Sequence, residues 1–316
     1  MTTRNIKLIA VLLAIVVILY LPRLVRHDEG RGTLTVEDGF SIAVDSPLTR
    51  IDIIPLETGD TVSLERGVPE WTVGGLRADQ TKIEDLLGVV GHLSSDVLVA
   101  RNPENHAALG VADDDGRLVE IHNEAGSLES FHLGNRDPTA GGYFVRRPGA
   151  DDVFRLDGPA GGYLSRDRDG WRPRQIVQLD SATIREIVIR RGEVETVLRR
   201  DDGTWTLDGT PADSASMAEL MRLLPSLSAS GFPSDEQAAT TDFSTPDATL
   251  DVFAEGGDDV TDRELALSLK LVQDAKAGDW LVRLADGDEV YRLAAYTVRR
   301  LLPARSALLG EGDVGS

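Results

Sequence analysis

Two stretches of this sequence, 134 residues apart, follow the same pattern. Residues 71–93 read WTVGGLRADQTKIEDLLGVVGHL, residues 205–227 read WTLDGTPADSASMAELMRLLPSL, and the two align without a gap. The identical positions in the first stretch are Trp71, Thr72, Gly75, Ala78, Asp79, Leu86 and Leu93. Self-similarity at a fixed offset is the signature of a repeated structural unit, so the fold must be one that the chain can build twice.

The similarity extends on both sides of these stretches. The further matches are Val145-Arg146 with Val282-Arg283, Val153–Leu156 with Val290–Leu293 and, upstream, Ile51–Ile53 with Ile187–Ile189. The sequence therefore predicts two copies of one module, over residues 46–165 and 180–305, followed by a flexible tail at 306–316.

Each copy is predicted to contain short strands, one amphipathic helix and then more strands. In copy one the strands are predicted at Arg50–Pro55, Thr61–Glu65, Leu118–His122, Ser130–Leu133, Tyr143–Arg147 and Val153–Leu156. In copy two they are predicted at Ile184–Arg190, Glu195–Arg200, Thr204–Leu207, Thr249–Ala254, Glu264–Val272, Trp280–Leu284 and Val290–Leu293. Many short strands with one main helix per copy predict an α+β fold, two tandem repeats with a largely antiparallel sheet in each.

The main helix of each copy is expected to begin after an aspartate. Asp79 and Asp213 stand where an N-cap carboxylate accepts hydrogen bonds from the free amides of the first turn. The apolar residues that follow at helical spacing are Ile83, Leu86, Leu87, Val90 and Leu93 in copy one, and Met217, Leu220, Met221, Leu224 and Leu227 in copy two. Pro225 is expected to bend or end the second helix.

An apolar segment precedes the modules. Leu8–Leu21 contains no charged residue. As a helix it would reach about 21 Å, so it needs its flanking residues to span a hydrocarbon core of about 30 Å. Pro22-Arg23 follows it in place of a small-residue cleavage site, which favours an uncleaved anchor over a removed signal peptide. We therefore predict an anchor within residues 1–27 that enters the membrane through residues 6–25, although basic residues on both sides leave its orientation open.

Composition excludes several classes of protein. The chain has 33 Lys and Arg against 53 Asp and Glu, a formal net charge of −20, and no cysteine. Binding of nucleic acid requires a basic surface, so no nucleic-acid partner is expected. The absence of cysteine excludes disulfides, thiolate metal ligands and cysteine nucleophiles.

The histidines were considered as metal ligands. His92, His106, His122 and His132 all lie in copy one, without the HxxxH or HxH spacing of common metal sites. His122 and His132 could face each other on neighbouring strands, but surface or half-buried polar roles are favoured.

The other candidate motifs also favour structural roles. The clustered carboxylates are Asp113–Asp115, Asp151-Asp152, Asp201-Asp202 and Asp258-Asp259, each beside glycine in a predicted turn. Gly141-Gly142 and Gly161-Gly162 lack the spacing of phosphate-binding loops, and no GxSxG nucleophile elbow is present. The sequence therefore predicts no catalytic, cofactor-binding or metal-binding residue and no enzyme.

The order of motifs resembles a known bacterial family. The motifs are Trp71, Ala78-Asp79 before the helix, Leu109-Gly110, Phe131–Gly134, Tyr143–Val145 and Val153–Leu156. Together, over about residues 6–305, they resemble the family described as domain of unknown function 4340. The resemblance implies a single-pass inner-membrane protein with its soluble part in the periplasm. Some members of the family are encoded beside gliding-motility-type ABC transporter components, and none has established catalytic residues.

Three functions are therefore expected to compete. The first is a membrane-anchored accessory or scaffold protein, auxiliary to an ABC transport system. The alternative is a periplasmic binding module for an envelope glycan or another ligand, for which Trp171 and Tyr163 would form an exposed aromatic cluster. A third, a hydrolase acting through His122 and His132, would require a metal at those residues.

Overall fold

The computed structural model describes residues 39–44, 46–126, 128–256, 263–275 and 277–310. The predicted membrane segment, residues 6–25, lies outside these ranges. Within them, no helix combines the length and the apolar character needed to cross a bilayer.

Strands dominate the described residues. They are β1 (Phe40–Ala43), β2 (Leu48–Pro55), β3 (Val62–Arg66), β4 (Trp71–Val73), β5 (Leu76–Arg77), β6 (His92–Ser95), β7 (Leu98–Ala100), β8 (Arg117–Asn123), β9 (Leu128–Arg136), β10 (Tyr143–Arg146), β11 (Val153–Leu156), β12 (Ile184–Arg191), β13 (Val194–Asp201), β14 (Thr204–Leu207), β15 (Thr210–Pro211), β16 (Ala248–Glu255), β17 (Arg263–Gln273), β18 (Trp280–Leu284) and β19 (Val290–Leu293). The α-helices are α1 (Gln80–Val90), α2 (His106–Leu109), α3 (Ala160–Leu164), α4 (Ser214–Leu223), α5 (Asp235–Thr240), α6 (Ala295–Leu301) and α7 (Arg305–Leu308), with 3₁₀ turns at Pro103–Asn105, Arg168–Trp171 and Leu224–Ser226. The prediction of an α+β fold with mostly antiparallel sheet is confirmed.

The described chain divides into two compact units. The first unit contains the described residues up to Arg66 together with Glu84–Ser165. The second contains Gly67–Ile83 and the described residues from Arg166 onward. Helix α1 therefore begins in the second unit and ends in the first.

In the first unit the hydrogen-bonded strand order is β3-β2-β8-β9-β10-β11-β7, and β1 pairs separately with β6. All of these pairs are antiparallel. Ile51 on β2 is in register with Leu64 on β3 and Ile121 on β8, and all three are buried. Because side chains alternate between the two faces of a strand, the residues between these apolar positions point away from the core.

In the second unit an eight-stranded antiparallel sheet has the order β15-β14-β13-β12-β16-β17-β18-β19. Met217 and Leu220 of α4 are buried in the same apolar cluster as Ile187 and Leu250 of the sheet. The helix begins where predicted, because Asp213 accepts a hydrogen bond from the Ser216 amide at 2.7 Å. This N-cap satisfies one of the amides that lack a partner in the first turn.

The hairpin between β13 and β14 has the turn chemistry that the sequence predicts. Asp201 pairs with Thr204, leaving Asp202 and Gly203 as a two-residue loop. Both loop residues have positive φ, 48° and 81°. Two left-handed residues are required for a type I′ turn, which matches the twist of the flanking strands.

The predicted strands are confirmed, four of them with unchanged ends: Val153–Leu156, Thr204–Leu207, Trp280–Leu284 and Val290–Leu293. The others differ by one to three residues at an end. Asp79 caps α1 through a 3.3 Å bond from the Lys82 amide, and α4 gives way to a 3₁₀ turn before Pro225, as expected.

Two expectations for the helices need revision. Leu93 is not on the first helix, because α1 ends at Val90 and Leu93 lies in β6, paired with Ile42. Helix α7 extends into the segment expected to be a flexible tail, and its Leu308 is fully buried. Residues 311–316 of that tail lie outside the described ranges.

Candidate functional site

A cluster of ionisable side chains lies on the outer face of the first unit's sheet. Asp52 on β2 is in register with Glu120 on β8, and His122 follows on the same face of β8. One possible ligand atom from each of the three residues lies within 4.8 Å of the others. Asp52 is only 4% exposed, whereas Glu120 and His122 are half-buried. We call these three residues the β2–β8 cluster.

The Asp52 carboxylate is held by two neighbours. Arg50 Nε donates to its Oδ2 at 2.7 Å, and Ser63 Oγ donates to its Oδ1 at 2.6 Å. Arg50 Nη1 also lies 3.3 Å from a Glu65 carboxylate oxygen. His122 Nε2 is 3.5 Å from Asp52 Oδ2, which is longer than a normal N–H···O hydrogen bond. The carboxylate is therefore fixed in place while the imidazole is not tightly bonded to it.

A second group of polar residues is built around Arg146, which is 2% exposed. Its Nε donates to Val111 O at 2.7 Å, and its Nη1 donates to Ala150 O at 3.1 Å. Its Nη2 contacts Asp113 Oδ1 at 2.5 Å, and His132 Nε2 lies 3.4 Å from the same oxygen. Arg146 therefore ties the loop before β8 to strand β10.

The pKa values in this group shift in the directions that its charges require. The hydrogen bond from Arg146 lowers the pKa of Asp113. Burial, and then the positive charge of Arg146, lowers the pKa of His132. Within the described residues, His132 Nδ1 is buried without a hydrogen-bond partner. The arrangement favours a neutral imidazole packed against a loop, which is a structural role.

His122 and His132 do not face each other. His132 is in register with Leu118, four residues before His122 on β8, which is about 13 Å along an extended strand. The alternative of a metal shared by these two residues is therefore wrong. His106 Nε2 lies 2.9 Å from Asp151 O, and His92 is exposed on β6.

The described clustered aspartates lie in turns and loops, as predicted, except Asp201, which is the last residue of β13. Asp115 Oδ1 accepts the Gly116 amide at 2.6 Å. Asp152 lies 3.7 Å from Arg101 Nε, and Asp202 is in the β13–β14 hairpin. Asp258-Asp259 lies outside the described residues. Local hydrogen bonding explains these positions without invoking acid–base chemistry.

The aromatic residues singled out for ligand stacking do not form an exposed cluster. Trp171 is fully buried, with the Arg166 guanidinium carbon 5.2 Å from its ring centroid. Tyr163 is half-buried, and its hydroxyl donates to Asp85 Oδ2 at 3.2 Å. Trp205 and Trp280 pack against the apolar core of the second unit.

The second unit contains an arginine-lined cavity of about 580 Å³. Its charged lining residues are Arg185, Arg200, Asp201, Asp202 and Arg263. Arg185 pairs with Glu255 and Arg263 pairs with Glu186. The hydrogen bonds of Arg200 to described residues go to the carbonyls of Ser181 and Ala182 at 3.3 and 3.5 Å. Arg200 therefore offers the cavity a guanidinium whose described partners are uncharged, beside the carboxylates of Asp201 and Asp202 in the same lining.

Comparison with known proteins identifies the family. The sequence profile described as "Domain of unknown function (DUF4340)" matches residues 71–248, more than half of the 316-residue chain. The chain belongs to this family. No curated protein and no solved structure matches this DUF4340 protein.

The motifs that connect this chain to the DUF4340 family have visible packing roles. A Cβ added at Gly134 would lie 2.3 Å from Leu109 O and 2.8 Å from Gly110 O. The Gly134 and Leu109-Gly110 motifs are therefore two sides of one close backbone contact. Phe131 packs edge-on against Phe40, with ring centroids 5.5 Å apart. In this DUF4340 protein, these motifs therefore contribute to backbone and side-chain packing.

Sequence reasoning missed the β2–β8 cluster in this DUF4340 chain. Its signal was the alternation Glu120-Ile121-His122, which places two ionisable side chains on one face. The third member, Asp52, could not be recognised from the sequence, because only the register of β2 against β8 places it beside Glu120 and His122.

Proposed function

We propose that this chain is a membrane-anchored accessory or scaffold protein, with its body in the periplasm, auxiliary to an ABC transport system. The observation that carries this proposal is that Arg146, His132 and the aspartate of a nearby turn are engaged in structural contacts. Arg146 holds a loop, His132 is packed beside it, and Asp115 accepts a backbone hydrogen bond within its own turn. Ionisable groups that stabilise loops and turns in this way suit a protein whose role is to bind partner proteins through its surface.

We further propose that the body is a duplicated module, as the sequence predicts for residues 46–165 and 180–305. The strand order β3-β2-β8-β9-β10-β11 has the same pattern as β13-β12-β16-β17-β18-β19. The start of each main helix also makes an equivalent contact. Asp79 N donates to Trp171 O at 2.7 Å, and Asp213 N donates to Leu308 O at 2.8 Å. Two copies with different outer faces would give one anchored protein two distinct docking surfaces.

The outer face of the second sheet is the surface we propose for docking. Arg190 contacts Glu195 at 2.8 Å and Asp251 at 2.5 Å, and Arg199 contacts Glu186 at 2.9 Å. Alternating charges of this kind contribute little to stability at a surface. They do provide specificity and faster association with a partner of complementary charge.

The test is a pull-down of the full chain from detergent-solubilised membranes. We expect an ABC permease or ATPase subunit to be recovered with the wild type and to be reduced in an Arg190→Glu, Arg199→Glu double variant. Arg222→Glu is the matched control, because the Arg222 side chain is 67% exposed on α4. Recovery of no transporter subunit with the anchor intact would reject the accessory role.

The orientation is tested separately. A reporter active only outside the cytoplasm, fused after Ser316, should be active if the body is periplasmic. A cytoplasmic signal would reverse the orientation without bearing on the docking surface.

The arginine-lined cavity favours a second candidate function, a binding module for an anionic envelope ligand such as a phosphorylated glycan. Its volume of about 580 Å³ is in the usual range for small-molecule sites. Titration of the chain with anionic and neutral glycan fragments would test it. Binding only of the anionic fragments, weakened in Arg200→Ala, is the expected result. Equal binding of both fragments would reject this function.

A further inference from the structure

The β2–β8 cluster has the donor chemistry of a transition-metal site. It offers one imidazole nitrogen from His122 and carboxylate oxygens from Asp52 and Glu120. Zinc binds such nitrogen and oxygen donors, and sites with three protein ligands leave a fourth position for water. Calcium and magnesium prefer oxygen ligands alone, so the imidazole points to a first-row transition metal.

The spacing within the cluster fits a shared ion better than a hydrogen bond. Ligand bonds to zinc are about 2.1 Å, which places two ligands of a tetrahedral ion about 3.4 Å apart. His122 Nε2 and Asp52 Oδ2 are 3.5 Å apart, close to that value. The Glu120 carboxylate completes the 4.8 Å envelope, and its charge acts on Arg50, as the charge of Asp52 does.

The surroundings hold one ligand in position. Ser63 and Arg50 donate to the Asp52 carboxylate, as outer partners of metal-binding carboxylates commonly do. Glu65, 3.3 Å from Arg50, offsets the positive charge that would oppose a cation. Strands β2 and β8 each have a neighbour on both sides, so their backbones form a rigid base.

The second sheet indicates that the fold does not need a polar residue at the positions of Asp52 and His122. There the register pairs Val188 with Asp251 and Glu186 with Phe253. The Ile187–Val252 pair of the second sheet corresponds to the Ile51–Ile121 pair of the first. In this alignment Val188 takes the place of Asp52, and Phe253 takes the place of His122. Glu120 corresponds to another acid, Asp251, but apolar side chains stand at the other two positions. The polar residues Asp52 and His122 of the first sheet therefore call for another explanation.

We propose that Asp52, Glu120 and His122 bind one divalent transition-metal ion of the zinc class, with water completing its coordination. The site is solvent-accessible from the outer face of the first unit's sheet, and it is independent of any role in ABC transport.

The test uses the full chain in detergent after dialysis against a chelator. Zn²⁺ alone is titrated calorimetrically, and Co²⁺ is titrated while its visible d–d absorption is followed. We expect one saturable site per chain and a Co²⁺ spectrum of low coordination number. His122→Ala and Glu120→Gln should each weaken binding at least about 100-fold, and Ser63→Ala about 10-fold, as for outer partners of metal ligands.

His92→Ala is the matched control, because His92 is an exposed strand histidine of the same unit outside the cluster. Its affinity for Zn²⁺ should equal that of the wild type. Circular dichroism establishes that each variant is folded, and the nearly isosteric Glu120→Gln remains informative if His122→Ala does not fold. The proposal is overturned if the wild type shows no saturable Zn²⁺ binding. It is equally overturned if folded Glu120→Gln binds as tightly as the wild type, or if His92→Ala abolishes binding.

Discussion

Replacing Arg146 by methionine should open the loop that precedes β8. Methionine preserves the apolar stem of the side chain and removes the guanidinium. The Val111 carbonyl, on a residue that is fully buried, loses its 2.7 Å hydrogen bond. A buried acceptor left without a partner costs about 1–3 kcal/mol. Loss of the contact to Asp113, whose side chain is 82% exposed, adds at most about 1 kcal/mol. We therefore expect a loss of about 3 kcal/mol in the stability of the first unit.

Arg283→Met is the matched comparison, because Arg283 aligns with Arg146 in the sequence. Within the described residues, its Nε is buried without a hydrogen-bond partner, and its guanidinium carbon lies 4.8 Å from the Phe243 ring centroid. Removing an unsatisfied donor costs nothing. The lost cation–π contact, about 0.5–2 kcal/mol, is largely replaced by a sulfur–aromatic contact. The free energy of unfolding of Arg283→Met is therefore expected to differ from that of the wild type by no more than about 1 kcal/mol.

The two units can be followed separately. All four tryptophans, Trp71, Trp171, Trp205 and Trp280, lie in the second unit, so their fluorescence reports on that unit. Hydrogen exchange of a peptide covering residues 109–116 reports on the loop in the first unit. A loss of 3 kcal/mol corresponds to roughly 100-fold faster exchange there in Arg146→Met. If exchange in this peptide rises no more than in Arg283→Met, the role assigned to the Arg146 guanidinium is wrong.

The remaining predictions concern packing, pH and capping. Gly134→Ala should destabilise the first unit by at least about 2 kcal/mol, because the added Cβ would lie 2.3 Å from a backbone oxygen. Gly88→Ala, whose Cβ would lie in open space on α1, should stabilise the protein by about 0.5–1 kcal/mol. Thermal denaturation compares the stability of the two variants. Because the pKa of buried His132 is lowered, the unfolded chain binds a proton at this residue more strongly than the folded chain does. The free energy of unfolding should therefore fall as the pH drops below about 6.5. His132→Gln should weaken this pH dependence, as measured by urea titrations at several pH values. Asp213→Ala should cost about 1 kcal/mol through loss of the N-cap, read from the urea midpoint of tryptophan fluorescence.

Each of these predictions has an opposing result. Equal midpoints for Gly134→Ala and Gly88→Ala would contradict the close contact with Leu109. An unchanged pH profile in His132→Gln would show that other groups dominate the acid sensitivity. No shift in the midpoint of Asp213→Ala would mean that solvent replaces the cap.

Strands with clear alternation could be predicted from the sequence. Ile51–Ile53 has apolar residues at alternate positions, and Val153–Leu156 has three apolar residues out of four, all of them buried. The short strands β1, β4, β5, β6, β7 and β15 were not predicted. In β6, for example, His92–Ser95 has one buried residue and is defined by its pairing with distant β1. Long-range pairing of this kind leaves little local signal.

The candidate site was less predictable for the same reason. His122 was recognised as ionisable, but its neighbours depend on which strand lies beside β8. Asp52 and Glu120 are 68 residues apart in the chain and opposite each other in the sheet. The burial of Trp171 was equally invisible to the sequence, because an isolated tryptophan between modules carries no periodicity.

The chain changes units three times, at residues 66–67, 83–84 and 165–166. During synthesis, the hairpin β4–β5 therefore emerges about 100 residues before most of the unit to which it belongs. A protease cutting between Ser165 and Arg166 would leave that hairpin on the amino-terminal fragment. It would remain bonded to the other fragment through contacts such as Asp79 N with Trp171 O. The nicked fragments should thus stay associated as complementing pieces, and neither unit can be obtained intact by a single truncation.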